Sequence, residues 1–355
     1  MRKEILFIKH ANSTFIRQDQ EILEKHFKVN SYLLHQNKSP KKYFLRLAWL
    51  PFFILFHGFK TKIMITWFAD YHAAIMAFMG KLLGIKVVII AGGQEAVCYP
   101  ELGKGVYRKK YRGMFAKYAL RHASLVLPNH KSLLWHENFY YDPNGKKDGI
   151  KYYIPGFNTP TEIVFNGIDE QKYFRDASIP KDPKMVLTVG GNMIATNDFY
   201  NKGFDLFIEL ARMTPGMNFT MIGINPRFLP WVEENYHISK IHNLKLIMFF
   251  CPDDVLFENY NKATYYVQAS ITEGMPNTLN ESMLCGCVPI GSNVNGIPDA
   301  IGDSGIIVLK RDVAELKKAL EQAEQIPSGE KAIKQALNFT LEVREKKLLE
   351  VLGTL

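Results

Sequence analysis

Cysteine is scarce. Cys98, Cys251, Cys285 and Cys287 are all that 355 residues contain, and their scatter excludes a scaffold built on disulfides. Cys285-Gly-Cys287 lacks a second ligand pair at zinc-like spacing and reads as small buried residues around a helix C-cap. Long apolar runs are missing too. The longest, Leu47 to Phe56, has ten residues and includes Pro51, whereas a membrane span needs about twenty. No low-complexity tract and no signal peptide are evident; Ile5–Ile8 gives way to charge at once and reads as a first strand. Acidic residues are outnumbered 35 to 44, for a net charge of +9. That balance calls for an acidic partner, a phosphorylated substrate or anionic lipid; nucleic acid is not expected, because no binding motif accompanies the charge. The expected location is the cytoplasm, or peripherally at the inner face of the plasma membrane.

What is present is a globular composition, 47% hydrophobic and 22% charged, in a chain too long for one ordinary core. Apolar runs of strand length alternate with helical periodicity: Ile5–Ile8, Val29–Leu34, Ile63–Trp67, Lys86–Ala91 and Leu125–Pro128, then Met185–Val189, Phe219–Ile224, Leu244–Phe250 and Tyr265–Ala269. Such alternation predicts α/β architecture with parallel sheets, whose ligands sit at the carboxyl ends of strands. Asp176–Lys184, polar and proline-bearing, reads as a linker.

The most informative stretch is Ser270–Gly305. Glu273 sits in a Gly-Met-Pro turn, and Pro276 suits the first position of a helix that ends at Gly286. The turn offers backbone amides at Asn277, Thr278 and Leu279 to a phosphate, and Glu281 could accept hydrogen bonds from a ribose diol. The pattern E-G-M-P-N-T-x-x-E-S-M-x-x-G-x-x-P-I resembles the Glu-x7-Glu motif of retaining family-4 glycosyltransferases. The resemblance covers the second half and, more loosely, the first. It implies the GT-B fold: two Rossmann-like domains facing each other across a cleft, with the C-terminal helix crossing back to the first. The expected boundaries are 1–178 for an acceptor domain, 179–338 for a nucleotide-sugar domain, and 339–355 for the helix; Phe165-Asn-Gly-Ile-Asp169 matches the element that relatives carry ahead of the linker.

By the same resemblance, the chain would move a hexose or N-acetylhexosamine from a UDP- or GDP-sugar to a glycan or lipid-linked glycan acceptor, with retention. Bacterial relatives of this short, basic form often build capsule, lipopolysaccharide or exopolysaccharide. No cofactor is expected and no metal, since Asp253-Asp254, read as a helix cap, is the nearest approach to an acidic ligand set. The implied donor site comprises Gly191, Asn192, Lys202, Glu273, Gly274, Met275, Pro276, Asn277, Thr278 and Glu281. Lys202 would neutralise the diphosphate, Glu273 would hold the hexose and Glu281 the ribose. Relatives carry an arginine near Asn192 that this chain lacks. Lys202, Glu273 and Glu95 are the expected catalytic residues, although Glu95 also suits a helix N-cap. The acceptor is expected to meet Asn12, Arg17, Asp70, His72 and Gly93, Asp70 also being a candidate cap. Alternatives of the same fold are a sugar-nucleotide epimerase and a non-catalytic membrane-associated binding subunit.

Two basic-aromatic stretches carry two readings each. Ser39–Lys60 is either a core helix broken by Pro51 or an interfacial segment with aromatics at the lipid boundary. Gly105–Arg121 is either a basic helix for a membrane or acidic acceptor, or a solvated charged face.

Overall fold

A computed structural model describes residues 3–35 and 39–355. The chain forms two compact units: Met1–His136 with Lys147–Gly167 and Glu342–Leu355, and Glu137–Lys146 with Ile168–Leu341. The polar stretch Asp176–Lys184 lies within the second unit.

The first unit runs β1 (Glu4–Lys9), α1 (Thr14–His26), β2 (Lys28–Leu33), α2 (Pro40–Gly58), β3 (Thr61–Trp67), α3 (Tyr71–Leu83), β4 (Lys86–Ala91), α4 (Lys110–His122) and β5 (Leu125–Pro128). Its strands pair in parallel in the order β2-β1-β3-β4-β5. The central strands are nearly continuous in apolar residues because helices cover both faces of such a sheet; Ile5 to Ile8, Met64, Ile65 and Val87 to Ile90 are buried. Two expectations change. The α2 helix passes through Pro51 without a break, and α4 begins only at Lys110, after a 3-10 turn over Val106–Arg108.

After β5 come the short paired strands β6 (His136–Asn138) and β7 (Lys146–Asp148), then α5 (Ile150–Tyr153). The segment between the two strands clusters with the second unit. There Asn138 Nδ2 donates to the carbonyl of Ile271 at 2.8 Å and Tyr140 Oη to that of Ala269 at 3.5 Å.

The second unit runs β8 (Asp182–Met193), α6 (Thr196–Asn201), α7 (Phe204–Met213), β9 (Asn218–Ile224), α8 (Leu229–Tyr236), β10 (Leu244–Met248), α9 (Asp253–Lys262), β11 (Ala263–Gln268), α10 (Asn277–Leu284), β12 (Val288–Ser292), α11 (Ile297–Ile301), β13 (Ile306–Val308), α12 (Val313–Ala323) and α13 (Glu330–Ala336). The parallel order is β10-β9-β8-β11-β12-β13, that is, third, second, first, fourth, fifth, sixth along the unit. This is the order of dinucleotide-binding sheets, which place their ligand where the order reverses. Here the reversal lies between β8 and β11. Cys285 and Cys287 are both buried, and a cation explains their surroundings. Lys181 Nζ donates to the carbonyls of Tyr260, Ala263 and Cys285 at 3.1, 2.6 and 2.9 Å, gathering the C-terminal ends of α9 and α10, where a positive charge is favoured. Cys287 Sγ donates to two of the same carbonyls.

The last helix, α14 (Leu341–Gly353), belongs with the first unit from Glu342 onward. Arg344 fixes it there. Its Nε and Nη2 donate to the two Asp19 carboxylate oxygens at 2.6 and 2.7 Å, and Nη1 donates to the carbonyls of Val164 and Phe165. Trp67 Nε1 donates to the same carboxylate at 2.7 Å, and the guanidinium carbon stands 5.4 Å from the Trp67 ring centroid. Both partners of this ion pair are buried.

Candidate functional site

In the second unit the loops after β8 and β11 meet at the reversal of strand order. Gly203 caps α7 at φ +72°, and a Cβ there would stand 2.3 Å from the Ala269 carbonyl oxygen. Glycine therefore lets the α6–α7 corner close onto the end of β11. That close approach presents Lys202, the C-cap of α6, to the β11 loop: Lys202 Nζ lies 2.5 Å from Glu273 Oε2, with each side chain about a quarter exposed. A polar scaffold holds the carboxylate. Asn295 Oδ1 accepts the Glu273 N–H at 3.1 Å, and Ser270 Oγ donates to Oε2 at 3.4 Å. Gln268 links Ser270, Tyr266 and Thr278 into one network, at 2.7, 3.2 and 3.3 Å.

Gly274, Met275 and Pro276 follow Glu273 and are buried. Pro276 proves to be the N-cap of α10 rather than its first residue, and Asn277 starts the helix. The amides of Thr278 and Leu279 fall in its first turn, where no intrahelical carbonyl is in register. Gly190 to Asn192 lie within β8 rather than after it, in a bulge between Val189 and Met193. Exposed Asn192 accepts a hydrogen bond from Asn225 Nδ2 at 2.7 Å, which ties the bulge to the loop after β9. Asp253 and Asp254 form the first turn of α9 instead of capping it from outside, and Asp253 pairs with Lys172 at 2.8 Å.

Glu281 lies on α10, where its Oε2 accepts a hydrogen bond from the buried Tyr260 hydroxyl at 2.9 Å. Burial raises its pKa to about 7, against the lowering effects of the Tyr260 hydrogen bond and of Lys172. Since the folded pKa stands above the ordinary 4.5, the folded state binds the proton more tightly than the unfolded one. This contribution to stability is present in full below pH 4.5 and is lost as pH rises through about 7. Glu281→Gln is therefore expected to flatten the fall in Tm between pH 5 and pH 8, checked by melting both proteins across that range; parallel curves would contradict the assignment.

The first unit carries a second polar cluster, at the carboxyl ends of β1, β3 and β4. Gly93, at φ +130°, turns the chain after β4, and the Gly92 N–H donates to Glu95 Oε1 at 2.7 Å. Glu95 is fully buried and its Oε2 has no hydrogen-bond partner. Burial raises its pKa to about 7, opposed by the surrounding amides and reinforced by Asp70. Asp70 caps α3 through the Tyr71 N–H at 2.8 Å and pairs with Arg112 Nη2 at 2.6 Å. His72 is buried, and its Nε2 lies 2.9 Å from Thr66 Oγ1 and 3.2 Å from the Trp67 carbonyl. His10 stacks 6.3 Å from it, its pKa pushed down to about 3 by burial and by His72. Asn12 and Arg17 are exposed, and Lys9 Nζ lies 3.3 Å from Asn12 Oδ1.

Residues beyond the reach of sequence reasoning are Tyr260, Asn295, Gln268, Arg112 and His10. Tyr260, Asn295 and Arg112 are 21, 22 and 42 residues from the groups that they hold. His10, Gln268 and Asn295 stand at or just after strand ends, which was their one signal, whereas Arg112 and Tyr260 lie on α4 and α9.

Against known proteins, residues 184–325 match the family described as glycosyl transferases group 1. The phosphatidylinositol N-acetylglucosaminyltransferase of Arabidopsis thaliana has one subunit that is 21% identical over 168 residues, 46% of this chain and 36% of that protein. The chain thus matches about a third of that relative's length. Among solved structures, sucrose-phosphate synthase from Thermosynechococcus elongatus superposes with a TM-score of 0.74 at 14% identity, covering 99% of both chains. Anabaena Alr3699/HepE in complex with UDP gives 0.69 at 14% identity, over 99% of this chain and 100% of that one. The fold is GT-B.

Proposed function

We propose that this chain, whose residues 184–325 match the group 1 glycosyl transferases, is a retaining, metal-independent glycosyltransferase of family 4 that takes its sugar from a nucleoside diphosphate. The Lys202–Glu273 pair at the reversal of a dinucleotide-type sheet carries the reading. It sets a cation beside an acceptor of hydroxyl hydrogen bonds, as a diphosphate joined to a sugar requires. Charge grows on the leaving diphosphate as the glycosidic C–O bond breaks. Lys202 and the α10 amides stabilise that charge, Glu273 holds the hexose, and Glu281 receives the ribose hydroxyls. Glu95 presents a carboxyl beside Gly93 for the sugar or acceptor. The UDP bound to HepE supports a uridine donor, and the resemblance to bacterial relatives supports a lipid-linked glycan acceptor in surface-polysaccharide synthesis. Asn12, Arg17 and Asp70 are the acceptor residues of this reading.

A melting-temperature screen against UDP, GDP, ADP and their sugars tests the donor. One nucleotide series is expected to raise Tm by several degrees at about 100 times its Kd, equivalent to about 2.7 kcal/mol. No shift with any of them would defeat the reading. Epimerised donor formed without acceptor would identify a sugar-nucleotide epimerase instead.

A further inference from the structure

The α2 helix is apolar on both sides. Tyr43, Leu50, Ile54 and Gly58 face the interior. On the opposite side Leu45, Trp49, Phe52, Phe56 and Phe59 recur at spacings of four and three, a continuous helical stripe, and all are exposed, Phe56 at 82% and Phe59 at 87%. A helix apolar all round belongs in a core or a membrane; this one has its second side open. The stripe continues onto its neighbours, where Phe78, Leu82, Tyr111, Met114 and Phe115 are exposed. An apolar groove of about 590 Å³ joins the three helices, lined by Pro51 of α2, Ile75 and Phe78 of α3, and Met114 and Tyr118 of α4. Single exposed apolar residues are ordinary, but a contiguous surface of this kind marks an interaction site.

Charge identifies the occupant. Helices α2, α3 and α4, of 19, 13 and 13 residues, contain not one Asp or Glu. They carry Lys41, Lys42 and Arg46, then Lys81, then Lys110, Lys117 and Arg121, besides Arg112, which pairs with Asp70. Exposed Lys60 and Lys62 follow α2. Aromatic side chains flanked by cations suit a lipid surface, with rings at the acyl boundary and ammonium groups on phosphates. A second copy meeting this face through the same helices would give its cations nothing acidic to pair with. No helix among the described residues is long and apolar enough to cross a membrane, so the contact lies in the plane of the interface.

We infer that α2, with the adjoining faces of α3 and α4, docks the first unit on an anionic lipid leaflet. The inference stands apart from the donor site and needs no nucleotide sugar. It is tested by flotation of the full chain with vesicles of phosphatidylcholine alone or mixed equally with phosphatidylglycerol. Binding to the mixed vesicles is expected to exceed binding to phosphatidylcholine by at least about tenfold, as two or more surface lysines on anionic headgroups supply. Phe56→Ser is expected to weaken it about tenfold through lost apolar burial, and Lys41→Glu with Lys42→Glu by at least as much. These side chains are exposed, so each variant should melt with the parent protein. Trp49 emission should move to shorter wavelength on the mixed vesicles, and Trp49→Phe should abolish that shift. Equal binding to both vesicle types, or binding indifferent to these substitutions, would overturn the proposal. So would a dimer that Phe56→Ser dissolves in a chain that binds neither vesicle, since the face would then join two copies.

Discussion

Lys202→Ala is expected to lower kcat by about 100- to 1,000-fold while changing donor KM far less, the loss typical of removing one group that stabilises developing charge. Lys202 Nζ stands 2.5 Å from Glu273, on a corner that Gly203 allows to close. Its charge is therefore aimed by the fold, not left on a free side chain. In the proposed reaction the diphosphate gains negative charge as the C–O bond breaks, so the cation would be worth more in the transition state than in the bound donor, and the effect should fall on kcat. Glu273→Gln separates the two roles. It keeps the size of the side chain, removes its charge, and should weaken hold on the hexose while leaving Lys202 free to meet the phosphates. Steady-state kinetics with the nucleotide sugar found by melting decides between them. An alanine variant with parental kcat would remove Lys202 from the chemistry.

The second large effect concerns stability. Arg344→Ala is expected to destabilise the first unit by about 3–5 kcal/mol, because it leaves the buried Asp19 carboxylate without its cation. Asp19 keeps the Trp67 N–H as a donor at 2.7 Å, which does not neutralise a charge. The two carbonyls of Val164 and Phe165 lose their donor as well. Arg344→Lys should rescue only part of the loss, since a single ammonium cannot reproduce the two parallel bonds to the carboxylate. Urea denaturation followed by fluorescence would measure it; a change below about 1 kcal/mol would show the pair to be dispensable.

These two sites were unequally visible in the sequence. Glu273 and Lys202 stand beside glycines and a proline whose spacing is itself a pattern, so they could be singled out before any fold was known. Asp19 and Arg344 are 325 residues apart and look like ordinary helix-surface charges. Only the packing of α14 against α1 and β3 makes them partners. The same division holds elsewhere. Lys86–Ala91 and Leu125–Pro128 were legible as strands to the residue, because β-branched and leucine runs ended at glycine or proline have few other uses. Pro51 misled, since a proline inside a helical pattern ordinarily ends it, whereas α2 absorbs it. The Tyr260 hydroxyl under Glu281 was invisible: strand and helix order set that contact, not local spacing. For α2, composition allowed both a core helix and an interfacial one, and the exposure of Trp49, Phe52 and Phe56 shows only that the helix is not buried on all sides.

The route of the chain has a consequence for synthesis. The first unit is assembled from three stretches, with most of the second unit lying between the second and third. Asp19 and Trp67 are made early, but the guanidinium that neutralises the one and covers the other arrives only after the second unit's 168–341 stretch has been translated. The half of the molecule that begins first is thus the half completed last. Until then Asp19 lacks the guanidinium that pairs with it in the folded unit.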